Sequence, residues 1–323
     1  MFFKKMSKGD IIMGKKYFLA NPNFSEARDI VIVEKIVDAA RNIDGVTLVK
    51  YEPEAEFNRT VVTLVGEIEP LKNVLTELTV KCVDLIDMQK HSGTHPRMGA
   101  MDVIPVYPFK NTTIDEAVIF CQELADKIFE ETKIPIFFTG ANAKCEKRKK
   151  LPFIRKGQFE GLRDLLKETR NCSDRVEEYE LRKPDFSVDG LLDKTAGGTV
   201  IGAFDDIPAF FNIFLDTENL SIAKKIANSI RSTQGGFSTV QAIGIKFDGR
   251  PGTVISMNVM DCARTPIYRP FEMVKIEAER YGTRVTGSEL VGIVRLDFMI
   301  NCFEHQLQLE GFRKEHIVET HLM

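Results

Sequence analysis

The chain has 323 residues, of which 43% are hydrophobic and 28% charged, with a formal net charge of −3. Such values describe a globular chain of roughly two domains. They exclude a strongly basic nucleic-acid footprint, and no apolar run reaches the ~20 residues a membrane helix needs.

The opening Met1-Phe-Phe-Lys-Lys-Met6 has no apolar core of signal-peptide length. Residues 1–15 read as an extension without a predicted role. Lys16–Ala20 then reads as a short strand. Ser25–Arg41 carries Ile30, Val33, Ile36, Val37 and Ala40 at helical spacing. Val46–Tyr51 and Thr60–Val65 read as strands. Leu71–Ile86 is a helix by its three- and four-residue apolar spacings. A histidine-bearing loop precedes the strand Asp102–Tyr107. Thr113-x-x-Glu116 is a capping-box pattern opening a helix to about Thr132, and the apolar run Ile134–Phe138 suits a strand.

A polar stretch from Ala143 to Lys194 follows, with a helix expected over Glu160–Arg170 and the loops Arg182-Lys-Pro-Asp185 and Val188-Asp-Gly190. This stretch reads as the connector between two halves, with domains over 16–194 and 195–323. The second half runs as strand Ala209–Leu215, helix Asn219–Thr233, strands Val240–Phe247 and Thr253–Val259, helix Phe271–Gly282, strand Val291–Leu296 and a last helix Asp297–Gln308. Both halves therefore contain the run β-α-β-β-α-β, which the first extends by another helix and strand. The expected fold class is α/β (α+β), as two ferredoxin-like βαββαβ subdomains with a ligand cleft or tunnel between them. Six cysteines (Cys82, Cys121, Cys145, Cys172, Cys262 and Cys302) are scattered without a Cys-x-x-Cys pair. They suit reduced thiols of a cytoplasmic protein.

The densest chemistry lies in His91-Ser-Gly-Thr-His-Pro-Arg-Met-Gly-Ala-Met-Asp102. Gly93 and Pro96 disfavour a regular helix here. Histidine is the side chain whose ordinary pKa suits proton shuttling near neutrality. A plain polar turn is the competing interpretation. Zinc is disfavoured, because two histidines four apart bind it from a helix and no third ligand is evident.

This loop resembles the signature of the glutamate formimidoyltransferase family, whose activity also forms the N-terminal part of formiminotransferase–cyclodeaminase. Further matches are Asn21-Pro-Asn-Phe-Ser-Glu26, Asn58-Arg-Thr60, Leu151-Pro-Phe-Ile-Arg155, Thr195-Ala-Gly-Gly-Thr199 with Gly202-Ala203, and Ser288-Glu-Leu-Val-Gly292. They keep a common order across about residues 17–295.

The resemblance implies transfer of the formimino group of N-formimino-L-glutamate to N5 of tetrahydrofolate, as a step of histidine degradation and one-carbon metabolism. Tetrahydrofolate would be the cosubstrate, with no metal. N5 must lose a proton and the departing glutamate nitrogen must gain one. His95 occupies the family's position for that acid–base, with His91 the other candidate. Glu52 stands where members carry an aspartate facing the cationic amidine; Glu52, Glu54 and Glu56 equally suit a solvated acidic loop. Arg148 matches an active-site arginine, and Asn58, Arg59, Arg97 and Arg155 sit inside family motifs, where arginine grips carboxylates bidentately. Lys147, Lys149 and Lys150 read as a solvated face. Val188 and Thr195, Ala196, Gly197, Gly198 and Thr199 are expected at the folate, since glycine lets backbone amides approach a flat ring. Asp102 is a second carboxylate candidate, orienting a loop histidine. The chain departs from the family at Phe204-Asp205-Asp206, where a basic residue is usual.

The resemblance also implies a cytoplasmic homodimer, with no membrane or nucleic-acid partner. With 323 residues the chain leaves no room for a cyclodeaminase part, so a separate cyclodeaminase would take the product. Two competing functions stay open: formyl transfer between 5-formyltetrahydrofolate and glutamate, and non-catalytic folate binding.

Overall fold

A computed structural model describes residues 14–168, 176–247 and 249–321. The chain divides into two compact units, one ending at Asp205 and the other starting at Asp206. Each has its own buried core. Among the described residues no helix is long and apolar enough to cross a membrane.

The first unit opens with two short strands in line, β1 (Tyr17–Ala20) and β2 (Asn23–Phe24). Helix α1 (Ile30–Val37) follows. It starts with the first apolar residue of its spacing, five residues after the expected Ser25, for a local reason. The Glu26 carboxylate accepts the amides of Ala27, Arg28 and Asp29 at 2.8–3.0 Å and holds them in a turn. Asp29 then caps the helix by accepting from Val31 and Ile32. Strands β3 (Val46–Glu54) and β4 (Arg59–Glu67) form a hairpin, and α2 (Ile68–Leu85) leads into the histidine loop and β5 (Met101–Lys110). The capping box of Thr113 and Glu116 is formed at the start of α3 (Ile114–Thr132). Strand β6 (Ile136–Gly140) comes next, then the short helices α4 (Leu151–Ile154), α5 (Gln158–Glu168) and α6 (Val176–Arg182).

The chain then returns to the same sheet as β7 (Thr199–Ala203), parallel to both β5 and β6 and lying between them. The sheet runs β3-β4-(β1, β2)-β5-β7-β6. Its antiparallel half carries the strands before α3, and its parallel half those after it. Every residue of β7 is buried. The boundary expected at Lys194 therefore moves to Asp205, because the Gly-rich segment supplies a central strand of the first sheet. Glycine hid that strand from the sequence, since it weakens strands in general. Here Gly202 is required: a Cβ would sit 2.5 Å from the Thr139 carbonyl oxygen.

The second unit runs β8 (Ala209–Leu215), α7 (Leu220–Ile230, capped by Asn219), β9 (Val240–Ile245), β10 (Thr253–Val259), α8 (Tyr268–Arg280), β11 (Val285–Val291) and α9 (Leu296–Leu307). Its antiparallel sheet has the order β11-β8-β10-β9. The last strand lies earlier than the expected Val291–Leu296. It is an edge strand, half exposed along Val285-Thr-Gly-Ser-Glu-Leu-Val291, so it needs no apolar run.

Candidate active site

The histidine loop lies between α2 and β5 and is fastened on two sides. On one side is the β3–β4 turn. Asn58 there adopts φ +50°, a left-handed conformation that asparagine tolerates. Its side chain accepts from the Ala27 amide at 3.0 Å and donates to the Ser92 carbonyl at 3.1 Å. Its own carbonyl accepts from His91 Nε2 at 2.9 Å. Gly93 passes over the same turn, where a Cβ would meet the Phe57 carbonyl oxygen at 2.2 Å.

On the other side is the Gly-rich segment. Met88 donates to the Thr195 carbonyl at 2.7 Å, Ala100 to the Ala196 carbonyl at 2.8 Å, and Gly198 to the Met98 carbonyl at 3.2 Å. Gly99 and Gly197 pair directly across this seam. A Cβ on Gly197 (φ +73°) would lie 2.3 Å from the Met98 oxygen, and one on Gly99 would lie 2.1 Å from the Gly198 oxygen. The close approach these glycines allow is between two stretches of this chain. Gly198 is hemmed in too, by the Phe137 ring and the Pro135 carbonyl.

The two loop histidines differ in what they have left to offer. His91 is engaged at both nitrogens: Nε2 donates to Asn58, and Nδ1 accepts from Arg97 Nε at 3.1 Å. Burial lowers its pKa, and Arg97 adds to that. His95 is half-buried beside Phe57, with ring centroids 5.9 Å apart. Its Nε2 meets Arg59 Nη1 at 2.7 Å. A guanidinium only donates, so Nε2 is the acceptor and the proton sits on Nδ1. That Nδ1 is buried without a partner in hydrogen-bonding geometry. Burial lowers the pKa of His95 to about 4; the charges of Arg59 and Arg155 act in the same direction, and the Pro96 backbone opposes them.

Arg59 opens β4, opposite Glu54 at the end of β3, and its Nη2 lies 3.9 Å from the Glu54 carboxylate. Arg155 reaches the same area from the end of α4. It is paired with Asp102, which is fully buried and also accepts from the Met98 amide at 2.8 Å. Burial raises the pKa of the Asp102 carboxyl from its ordinary value, with Arg155 opposing. The expected contact between Asp102 and a loop histidine is not formed, because the carboxylate is engaged by Arg155 and the loop backbone.

Other residues singled out in the sequence lie elsewhere. Glu52 pairs with Lys50 at 2.8 Å on the exposed side of β3, and it is Glu54 that faces Arg59. Alternation along the strand puts both on one face, so spacing alone could not choose between them. Arg97 is buried and filled by Glu160, which it grips through both terminal nitrogens at 2.7–2.8 Å, and by Gln158. Arg148 is 3% exposed and paired with Asp185, itself 2% exposed. Asp185 also takes Lys144 and the Phe138 amide, each at 2.7 Å. The guanidinium expected to hold substrate is thus committed to a buried carboxylate. Glu160 and Asp185 carried no signal in the sequence, since each meets its arginine only through the fold. Lys149 pairs with Glu146 at the surface, as a solvated face does.

Val188 is 74% exposed and lines a cavity of about 520 Å³ with Gln89, Lys133, Arg163, Lys167 and Lys194. Thr195 borders the seam and Ala196 is buried in it. Thr199 is buried in β7, its hydroxyl unpartnered. Among the described residues no three His, Cys, Asp or Glu side chains converge as metal ligands do.

Two family models match the chain. The formiminotransferase domain, N-terminal subdomain, matches residues 17–204, and the formiminotransferase domain matches residues 210–321. The chain belongs to the formiminotransferase family. The break between the two matches coincides with the boundary between the compact units. Formiminotransferase relatives include a glutamate formimidoyltransferase of Streptococcus pyogenes, 39% identical over 94% of this chain and 97% of its own length. Another, from Thermoplasma acidophilum, is 36% identical over 92% and 94%. A formimidoyltransferase-cyclodeaminase of Dictyostelium discoideum is 34% identical over 90% of this chain and 52% of its own length.

Proposed function

We propose that this formiminotransferase-family protein transfers the formimino group of N-formimino-L-glutamate to N5 of tetrahydrofolate and releases L-glutamate, with His95 as general acid–base. The observation that carries the mechanism is the state of His95: neutral, half-buried, and in contact with a cationic arginine. The activity itself is supported by the two relatives of nearly equal length that bear the name glutamate formimidoyltransferase.

The chemistry follows from the groups present. N5 attacks the amidine carbon and its proton passes to His95 Nε2. The imidazolium returns that proton to the glutamate nitrogen as the C–N bond breaks. One neutral imidazole therefore serves both halves of the reaction. Two guanidiniums, Arg59 and Arg155, face two carboxylates, Glu54 and Asp102, but Glu54 is held loosely and stays accessible. Donor carboxylates are the natural partners for Arg59. The cavity beside Val188 carries Lys133, Arg163, Lys167 and Lys194 against two carboxylates, Asp189 and Asp193, and this excess of cations suits an anionic folate. The same reading carries a cytoplasmic homodimer whose product goes to a cyclodeaminase, an activity joined to the transferase in the name of the Dictyostelium relative.

The test is turnover with tetrahydrofolate, offering formimino-glutamate and formyl-glutamate in parallel, alongside folate binding. Turnover of formimino-glutamate supports the reading. Preference for the formyl compound would replace it with formyl transfer. Folate binding without either turnover would leave a binding protein.

A further inference from the structure

We propose that Arg59 is a substrate-operated cover on the base: its guanidinium occupies His95 Nε2 in the free protein and leaves it when a donor carboxylate takes the arginine. The inference rests on the reading of His95 as the general acid–base.

The geometry makes the cover unavoidable in the free state. A base needs a lone pair pointed at its proton. His95 has one such lone pair, on Nε2, because Nδ1 carries the ring proton. Arg59 Nη1 lies 2.7 Å from it and donates to it. A guanidinium has five donors, no acceptor, and does not deprotonate in proteins. Nε2 therefore cannot receive a proton while the contact holds. A covered base of this kind resists protonation by solvent and also resists its own reaction.

The groups facing the pair indicate what removes the cover. On the His95 side are Arg155 and the buried Asp102, already joined to each other. Within the loop, His91 and Arg97 are engaged by Asn58 and Glu160. No anion among these is available to draw Arg59 away. On the outer side Glu54 stands 3.9 Å from Nη2, too far for a firm pair and partly exposed. Arg59 Nε is buried without a partner. Arg59 Nη2 is thus only loosely paired on the side where a ligand would arrive. Formimino-glutamate brings a carboxylate whose carbon is two bonds from the nitrogen that must leave. A bidentate pair with that carboxylate is stronger than one bond to a neutral imidazole. Binding of the donor and exposure of the base then become one event, and the base is bare only when there is something to react with.

The experiment follows the labelled imidazole of His95 by NMR in the whole protein, with glutarate as the probe. Glutarate has the two carboxylates and no amidine. In the wild type, glutarate should move the Nε2 resonance and raise the His95 pKa by about one unit or more, the effect of neutralising an adjacent cation. In Arg59→Gln the pKa should already be raised without ligand, and glutarate should add nothing. Arg59→Lys, which keeps the charge, serves if Arg59→Gln does not fold; its glutarate response should be smaller than the wild type's. In kinetics, the acid limb of kcat/KM should lie below that of kcat in the wild type, and the two should coincide in Arg59→Gln. A wild-type His95 signal indifferent to glutarate overturns the cover, and so does an Arg59→Gln protein that keeps the low pKa. His95→Gln separates the two ideas. If it retains kcat, the acid–base reading falls and the cover with it. If it is inactive while glutarate leaves His95 unmoved, only the cover falls.

Discussion

His91 and His95 sit four residues apart in one loop and have opposite states. His91 has both nitrogens bonded within the protein, so it acts as a fastening. His95 has one side-chain hydrogen bond, from the Arg59 guanidinium. His95→Ala should lower kcat by about 10²–10⁴-fold, the range for a lost general acid–base, with folate affinity little changed. His91→Ala should act chiefly on stability, by about 1–3 kcal/mol, since it leaves buried groups unpaired. Steady-state kinetics with denaturant titration of both variants decides; a larger kcat loss in His91→Ala would reverse the roles. A pH effect follows as well. An unfolded histidine takes up its proton near pH 6.5, whereas folded His95 does so only near 4. Between those values the unfolded state binds more protons, so stability falls as pH drops through the window. His95→Gln should flatten that part of the curve of melting temperature against pH. Arg148 belongs with the fastenings too. Arg148→Ala removes the buried one of two cations on Asp185, leaving it Lys144 and the Phe138 amide, and should cost about 1.5–3 kcal/mol, with KM for folate and donor nearly unchanged in the surviving folded protein. The histidines were legible in the sequence because loop motif and chemistry coincide. Their partners were not: Glu54, Glu160 and Asp185 reach their arginines only through strand register or the packing of distant helices.

Among the elements, those with a regular apolar period or a complete cap were legible. The capping box at Thr113 fixed the start of α3, and β8 and β10 were delimited by their apolar runs. Elements governed by local polar bonding were not. Glu26 delays α1, and Gly202, with Gly197 and Gly198 just before β7, disguises a fully buried strand as a turn. That strand and its seam make a sharp comparison. Gly197 and Gly282 both have left-handed φ, +73° and +68°, but only Gly197 faces a backbone oxygen; Gly282 has open space. Gly282→Ala should cost about 1–2 kcal/mol, the penalty of conformation alone. Gly197→Ala should cost clearly more and should also lower kcat, because the seam holds the histidine loop. Equal denaturation midpoints for the two variants would show that the seam relaxes without penalty.

At the scale of the molecule, two units with separate cores each contain the run β-α-β-β-α-β, which the first extends by α3, β6, three short helices and β7, and the second by α9. That succession was legible, because strand and helix periods differ so strongly. The boundary was not, because charge and loop residues between Ala143 and Lys194 look like a linker while the chain is in fact on its way back to the first sheet. A ligand that binds only the native state raises the melting temperature by mass action, by about 2.7 kcal/mol of stability at a hundredfold excess over Kd. Tetrahydrofolate and 5-formyltetrahydrofolate should do so, and nucleotides or nicotinamide cofactors should not. Thermal melts at saturating ligand test this, and unchanged melting with folates would remove the folate assignment.

The two fastenings of the histidine loop are chemically unlike. The seam side is a ladder of amides and carbonyls, with Ala100 and Gly198 donating at 2.8 and 3.2 Å. The turn side relies on side chains, and its one backbone bond near the centre, from Thr94 to Glu56, is stretched to 3.5 Å. The edge along Met98–Ala100 is thus held by backbone, the edge along Ser92–Thr94 mainly by the side chains of Asn58 and Arg28, and His95 lies between them. Deuterium from solvent should enter at Thr94, bonded at 3.5 Å, well before it reaches Ala100, bonded at 2.8 Å, and His95 sits in the chain between the two.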